Sequence, residues 1–208
     1  MEGAVCPVPL PHDVAIVLGH GSGGRMTQDL VRRRFQRVLG NPALEQGDDA
    51  AVLPLPGEPG RLAITTDAHI VAPLFFAGGD IGRLAVCGTV NDLAVMGARP
   101  LWLTASFILE EGLPLVTLDR VVDSMHRAAE EAGVIVAAGD TKVAERGKAD
   151  GLFISTSGVG WVPQGRDPSG RHAQPGDVVL VSGPLGDHGI AVLEARGGLG
   201  LASDIVSD

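Results

Sequence analysis

The chain has 208 residues, of which 45% are hydrophobic but only 3% aromatic, and its formal net charge is −9 at pH 7. This length suffices for one domain and the start of another, with a core that must be built from aliphatic side chains. The negative charge excludes a nucleic-acid backbone as the main partner, because phosphate contacts need clustered Lys and Arg.

Two further classes are excluded by the pattern of residues. No apolar run approaches the ~18 residues of a membrane span, so no membrane association is expected. The two cysteines, Cys6 and Cys87, form no disulfide framework, and a reduced cytoplasmic setting is therefore expected.

The first half of the chain predicts an irregular leader and then alternating helices and strands. Residues 1–13 are proline-rich and form the leader. A glycine-rich stretch follows, and Thr27 is predicted to cap a helix whose arginine run at 32–34 lies on the solvated face. Residues 61–71 predict a strand, and the almost continuously apolar residues 78–100 predict a buried helix closed by glycine and proline.

The second half continues the alternation and then changes character. Strands are predicted at 101–112, 134–142 and 150–162, with an amphipathic helix at 117–133 that ends on Gly133. Residues 14–162 are therefore predicted to form one domain. A polar, Gly/Pro-containing linker is predicted at 163–177. Residues 178–208 hold one predicted strand, "VVLVSG", and one helix, which cannot bury their own apolar faces, so they are expected to be the start of an incomplete second domain.

A glycine pattern near the N-terminus raises a dinucleotide-binding hypothesis. Gly19, Gly21 and Gly24 spell G-x-G-x-x-G between an apolar run and a predicted helix. A Rossmann fingerprint also requires an acidic residue at the end of the next strand, about 20 residues on. Asp48 and Asp49 lie at that distance but precede the apolar "AAVLPL" instead of ending a strand. The match to the fingerprint is therefore interpreted as coincidental.

Acidic residues recur at the ends of the predicted elements. Each of them has an ordinary alternative as a helix cap or turn residue. Carboxylates that converged in a cleft would raise one another's pKa unless a cation lay among them, and ligation by oxygen alone favours a hard ion such as Mg²⁺. Lys142 could reach a phosphate or polarise a carbonyl, although by itself it is typical of a surface lysine. The carboxylates concerned are Asp48, Asp49, Asp67, Asp92 and Asp140.

Several longer motifs resemble the HypE family of hydrogenase maturation factors. That family belongs to the superfamily of aminoimidazole ribonucleotide synthetase, selenophosphate synthetase and thiamine monophosphate kinase. The resemblance extends from about His20 to the last residue. It is carried by "HGSGG" (20–24), "DDAAV" (48–52), "TTDAHIVAPLFFAGGDIGRLAVCGTVNDLAVMGARP" (65–100), "FILEEGL" (107–113), "GDTKV" (139–143) and "SGPLGDHGIAVL" (182–193).

The resemblance implies a fold, a cofactor set and a site. It implies an α/β (α+β) fold whose N-terminal domain forms a homodimer, the sheets of the two copies joining into a barrel, with ATP and Mg²⁺ bound in the cleft beside it. The implied metal ligands are Asp48 or Asp49, together with Asp67 and Asp92. The implied nucleotide contacts are Gly21, Ser22, Gly23 and Gly24 over the phosphates, with Asn91, Gly139, Asp140, Thr141 and Lys142 completing the pocket.

The resemblance also implies a reaction and its partners. A carbamoyltransferase places a carboxamide on the protein's own C-terminal cysteine, ATP activates the amide oxygen, and loss of phosphate leaves a thiocyanate. The cyanide passes to iron-scaffold maturation proteins of the nickel–iron hydrogenase. Lys142 is the candidate catalytic residue, and His188 in "GDHG" is either a second one or a capping residue. No cysteine follows Cys87, so the acceptor thiol is expected to be missing through truncation or because the sequence is a fragment.

Two other functions remain open from the sequence. One is another enzyme of the superfamily, a selenophosphate synthetase or a thiamine phosphate kinase. The glycine-rich region lacks the cysteine that the selenium enzyme would need. The other is a non-catalytic dimerisation and partner-docking module, which the absence of the acceptor cysteine favours.

Overall fold

The computed structural model describes residues 11–47, 50–197 and 204–208. Its strands and helices are numbered in chain order, and short 3₁₀ turns lie at Leu18–Gly21 and Gly170–His172. The strands are β1 (Gly60–His69), β2 (Phe75–Phe76), β3 (Gly79–Asp80), β4 (Arg99–Glu110), β5 (Ile135–Ala144) and β6 (Leu152–Pro163). The helices are α1 (Arg25–Leu30), continued by a π-helical stretch (Val31–Gln36) into α2 (Arg37–Leu39), then α3 (Pro42–Gln46), α4 (Ile81–Val95), α5 (Leu115–Ala132) and α6 (Asp187–Ala195).

Four long strands form one mixed sheet in the order β1-β6-β4-β5. Strand β6 pairs antiparallel with both β1 and β4, whereas β4 and β5 are parallel. The parallel pair requires a crossover, which α5 supplies. Strands β1 and β5 are therefore the two edge strands of the sheet.

The core lies between one face of this sheet and helices α4 and α5. On α5, Leu118, Val121, Val122 and Met125 recur at helical spacing and are all fully buried, each contributing about 1.5–3 kcal/mol by burial. The helix ends at Gly133, whose φ of 65° is the left-handed conformation that glycine adopts most easily. The predicted amphipathic helix is therefore confirmed, with bounds shifted by one or two residues.

On the opposite face of the sheet no helix of the described residues lies over the strands, and residues 50–55 line a cavity there with Leu62 and Trp102. On β1, Leu62 and Ile64 are 47% and 74% exposed, and Ile108 on β4 is 45% exposed. Apolar side chains on an uncovered sheet face are typical of a surface that meets another protein.

Three details of the sequence-based prediction are wrong. The first helix begins at Arg25 after Gly24, and Thr27 lies inside it, where its Oγ1 accepts from the Gly23 amide at 2.9 Å. Helix α4 begins at Ile81 and not at residue 78, because the hairpin of β2 and β3 precedes it and Asp80 caps it through the Gly82 amide at 2.7 Å.

The third error is the strand predicted from "VVLVSG". Residues 178–181 are 60–88% exposed and carry no strand. Their β-branched composition favours an extended backbone, but a strand exists only where another strand bonds to it, and none in the described part of the chain does so. The predicted linker and incomplete second domain stay predictions. No helix among the described residues is long and apolar enough to cross a membrane.

Candidate functional site

The glycine-rich segment is held directly against β5. A Cβ atom added at Gly21 would lie 2.8 Å from the Val143 amide nitrogen, so only glycine fits this close approach. Upstream, the Ile16 amide donates to the Leu113 carbonyl at 2.8 Å and the Gly112 amide donates to the Ile16 carbonyl at 2.8 Å. The "EEGL" motif therefore holds the residues just before the glycine-rich segment by backbone hydrogen bonds, and β5 packs against Gly21 within it.

A cavity of about 220 Å³ opens beneath this segment. Its walls are largely apolar and include Val31, Phe35 and Phe107, whereas its rim is polar. An apolar pocket with a few polar groups at one side is typical of a small-molecule site. The rim holds Gly21 and Gly23 from the glycine-rich segment and Gly139, Asp140, Thr141 and Lys142 from β5. The structure thus brings together two of the predicted nucleotide-binding motifs.

The remaining members of the glycine-rich segment have structural contacts. The Ser22 hydroxyl donates to the Gly19 carbonyl at 2.9 Å, and Gly24 is the residue that precedes α1. Gly23 has a φ of 80°, a conformation that side chains rarely adopt. The segment is therefore a tight turn in which two glycines are required by geometry.

Asp140 and Lys142 form an exposed ion pair at the rim. The Lys142 Nζ lies 3.1 Å from Asp140 Oδ1. The hydrogen bond from Lys142 lowers the pKa of Asp140, and the Thr141 amide contributes in the same direction. Asp140 lies in the middle of β5 and not at the end of a strand as predicted, because β5 continues to Ala144. The ammonium group of Lys142 can donate three hydrogen bonds, so a nearby anion could also be bound.

Asp67 and Asp92 lie in a second place, which we name the carboxylate groove, between β1 and α4. The Thr65 hydroxyl donates to Asp92 Oδ2 at 2.8 Å, and the Ala68 amide donates to Asp67 Oδ1 at 2.8 Å. On α4, Gly88 leaves room for Asp67, since a Cβ there would lie 3.3 Å from Asp67 Oδ2. Asn91 is exposed beside Asp92 on the same helix.

The donor chemistry of the carboxylate groove fits Mg²⁺. This ion is commonly held by one or two carboxylates together with substrate phosphates and water. Within residues 11–47, 50–197 and 204–208, no three His, Cys, Asp or Glu side chains form a metal cluster by themselves. The other predicted ligands, Asp48 and Asp49, lie outside the described residues.

Within one chain, the structure separates the predicted site into two groups. Across the four strands, Asp67 pairs with Thr156, Thr156 with Ala105, and Ala105 with Gly139. Asp67 and Gly139 therefore lie at the two ends of one row of paired residues, on opposite edges of the sheet. Three strand spacings of ~4.8 Å put them about 14 Å apart. The sequence predicted a single cleft, and no sequence signal gives the strand order that divides it.

Residues 47–162 match the family profile described as AIR synthase related protein, N-terminal domain. The chain belongs to the AIR synthase related family. The AIR synthase type of fold that the motifs predicted is therefore confirmed, while the barrel across a dimer stays a prediction.

Relatives within the AIR synthase related family confirm the predicted resemblance to HypE. The carbamoyl dehydratase HypE of Azotobacter vinelandii is 55% identical over 194 residues, which cover 93% of this chain and 56% of the relative. A crystal structure of hydrogenase maturation protein HypE in complex with ATP has a TM-score of 0.87 at 51% identity, covering 92% of this chain and 56% of that one. The structure of a HypE–HypF complex has a TM-score of 0.69 at 50% identity, covering 86% and 57%. The chain thus spans a little over half the length of these proteins.

The contacts of His188 are with residues of neither group. Its ring packs edge-on against Phe76 at 5.3 Å, and its Nδ1 lies 3.1 Å from the Ser207 hydroxyl. The Ser207 amide donates to the Ala77 carbonyl at 2.8 Å, and a Cβ at Gly78 would lie 2.5 Å from the Ser207 nitrogen. The motifs "PLFFAGG" and "GDHG" are far apart in sequence and come together at His188 and Ser207. The sequence analysis did not predict this contact.

Sequence reasoning missed the side chains that support the carboxylate groove. His69, Thr89 and Thr156 are buried polar residues beneath it, and Thr65 bonds to Asp92 directly. Thr65 and Thr156 lie in strands, where threonine is typical of ordinary β-structure, so their sequence pattern carried no functional signal.

Proposed function

We propose that this chain is the ATP-binding and dimerisation part of a HypE-type carbamoyl dehydratase in hydrogenase maturation. The observation that carries the proposal is the meeting of the glycine-rich segment with Gly139–Lys142 around an apolar cavity, in a fold shared with a HypE crystallised with ATP. The proposed ligands are ATP and Mg²⁺, and the proposed location is the cytoplasm.

The residues on each side of the sheet receive different roles in this proposal. The turn formed by Gly21, Ser22, Gly23 and Gly24 contacts phosphate through backbone amides, as glycine-rich turns do. The strand residues Gly139, Asp140 and Thr141 complete the pocket, and Asn91 contacts the nucleotide from the carboxylate groove.

The proposed catalytic and metal-binding residues act on the phosphates. The ammonium group of Lys142 stabilises negative charge on the transferring phosphoryl group, and Asp67 and Asp92 hold Mg²⁺. When bound, Mg²⁺ offsets charge on the phosphate oxygens. Asp48 and Asp49 stay further candidates for metal ligation.

A homodimer is part of the proposal, because it resolves the separation of the two groups. The uncovered apolar face of the sheet supports pairing of two copies face to face. A two-fold axis parallel to the strands, between the two facing sheets, would put β1 of one copy opposite β5 of its partner. Each site would then take its carboxylates from one copy and its glycine-rich segment from the other.

The proposed reaction is the ATP-dependent dehydration of a C-terminal S-carboxamide to a thiocyanate. An amide oxygen is a poor leaving group, and its phosphorylation converts it into a good one. The partners proposed for this chemistry are a carbamoyltransferase and iron-scaffold proteins, and the HypE–HypF complex supports a partner among maturation proteins. His188 is proposed to hold the C-terminal residues against the hairpin of β2 and β3, since its contacts are with Ser207 and Phe76.

Calorimetric titration with ATP and Mg²⁺ tests the proposal. Wild-type protein is expected to bind ATP saturably, and Lys142→Met is expected to weaken binding about tenfold, because one charge-assisted hydrogen bond to phosphate is lost. Lys148→Met is the matched control, since Lys148 lies in the exposed loop after β5. Absence of saturable binding by the wild type, or equal binding by both variants, would contradict the proposed nucleotide site.

A further inference from the structure

Beneath the carboxylate groove lies a small group of buried polar side chains. Thr89 on α4 is 0% exposed, Thr156 on β6 is 1% exposed, and His69 at the end of β1 is 6% exposed. They come from the three elements that meet at the groove. Polar side chains at core positions are costly unless they are hydrogen-bonded, so their arrangement must be satisfied internally.

The Thr156 hydroxyl is the centre of this group. It donates to the Ala85 carbonyl of α4 at 3.2 Å, and it lies 2.5 Å from the Thr89 hydroxyl and 3.4 Å from His69 Nε2. A hydroxyl has one hydrogen to donate and two lone pairs. With its hydrogen given to Ala85, it accepts from both Thr89 and His69, and its capacity is then filled.

His69 Nε2 faces Thr156 at 3.4 Å and also lies 3.7 Å from Asp67 Oδ2. When Thr156 donates to Ala85, this ring nitrogen carries the hydrogen that is donated to Thr156. The imidazole therefore links the buried hydroxyl to the carboxylate above it.

The buried group is also in direct contact with the groove above it. Thr156 is the cross-strand partner of Asp67 in the pairing of β1 with β6. A Cβ added at Gly88 would lie 3.0 Å from His69 Cε1 and 3.3 Å from Asp67 Oδ2. The imidazole and the carboxylate thus occupy the space where a side chain of α4 would otherwise project, and they set the gap between strand and helix.

We propose that Thr156 is a positioning residue for the carboxylate groove. Its hydroxyl joins β6, α4 and His69 into one hydrogen-bonded unit, which fixes the separation of Asp67 on β1 from Asp92 on α4. This inference rests on the proposed function, in which these two carboxylates hold Mg²⁺. Thr65 fixes Asp92 from the other side by its 2.8 Å bond.

Substitution by valine separates positioning from packing, because valine keeps the shape of threonine without the hydroxyl. Thr156→Val is expected to weaken Mg²⁺-dependent ATP binding about tenfold or more, as loss of groups that orient metal ligands does. ATP binding measured without Mg²⁺ is expected to change little. Thr156→Ser, which restores the hydroxyl, is expected to bind Mg²⁺ and ATP as the wild type does.

Two further variants complete the set. Ser124→Ala removes another buried hydroxyl, from α5, and is the control for a general effect on stability. If Thr156→Val does not fold, Thr89→Val tests the same unit and is expected to shift Mg²⁺-dependent binding in the same direction. Melting temperatures identify any variant that is merely unfolded.

Crystal structures of the wild type and of Thr156→Val provide a readout that is independent of ATP. The distance between the carboxyl carbons of Asp67 and Asp92 is expected to change by more than ~0.5 Å, the tolerance of a preorganised site. Wild-type protein that bound no ATP would contradict the proposed function, whereas an unchanged distance would contradict the positioning role. Equal Mg²⁺-dependent binding by wild type and Thr156→Val would also overturn the positioning role.

Discussion

The two halves of the candidate site are stabilised in different ways. The carboxylate groove is supported by side-chain hydrogen bonds, from Thr65 to Asp92 and from the buried Thr156 to its neighbours. The pocket beside β5 depends instead on close backbone packing, with Gly21 pressed against Val143. We therefore expect the groove to be sensitive to the loss of polar atoms and the pocket to be sensitive to added volume.

The largest effect is expected from removing a carboxylate in the groove. Asp67→Asn keeps the shape of the side chain but removes its charge, and Mg²⁺-dependent ATP binding is expected to weaken on the order of 100-fold. Calorimetry with and without Mg²⁺ measures the change. Asp177→Asn, a neutralisation in the exposed linker, is the control, and affinities that were equal for the two variants would remove Asp67 from the metal site.

Mixing variants sharpens the comparison between the two regions. When equal amounts of Asp67→Asn and Lys142→Met protein are mixed, half of the dimers are expected to be heterodimers. Each heterodimer has one shared site in which both Asp67 and Lys142 are present. About a quarter of the ATP sites are then expected to recover native affinity. Recovery of none would mean that the groove and the pocket of a single chain act together, and that the shared site is wrong.

A smaller effect is expected from adding volume to the pocket. Gly21→Ala puts a methyl group 2.8 Å from the Val143 amide nitrogen, so the segment must move away from β5. Overpacking of this kind costs about 1–3 kcal/mol, and ATP affinity is expected to fall roughly tenfold. Gly57→Ala is the matched control, because a Cβ there meets nothing within 4 Å. Equal ATP affinities of the two variants would show that the close approach does not shape the pocket.

The smallest effect concerns the ion pair at the rim. The pKa of Asp140 is lowered mainly by its hydrogen bond from Lys142, so Lys142→Met is expected to raise it toward its ordinary value. Because the folded-state pKa is depressed, the stability that the pair contributes is present above the unfolded pKa and is lost as pH falls through the folded one. Both side chains are more than half exposed, so this contribution is small. Carbon-13 NMR titration of the Asp140 carboxyl measures the shift, and an unchanged pKa would contradict the assigned cause.

Much of the fold was predictable from local patterns. The 3.6-residue spacing of Leu118, Val121 and Met125 identified α5, and four predicted strands coincide with β1, β4, β5 and β6 to within about two residues at most boundaries. The glycine-rich segment and "GDTK" line the same cavity, and their role in binding nucleotide stays a prediction.

The errors arose where a neighbouring segment decides the outcome. "VVLVSG" has strand composition but no strand beside it in the described chain, and Thr27 has a capping side chain that is used inside the helix to bond Gly23. For both segments the local propensity was real, and a tertiary contact determined how it was used. The role of His188 stays a prediction, and its contacts are with Phe76 and Ser207.

The sequence by itself determined helices α4 and α5, the four long strands and the family, because periodicity and motifs are local properties of the chain. Only the tertiary structure decided that Asp67 and Gly139 lie on opposite edges of one sheet. This arrangement depends on long-range strand pairing, such as that of Gly60 with Pro163, which are more than a hundred residues apart. Backbone hydrogen bonds between strands do not depend on which side chains the strands carry. The strand order is therefore decided by how the buried faces of all the elements pack together. The same packing placed Thr156 beneath Asp67, where an ordinary strand threonine becomes a candidate positioning residue.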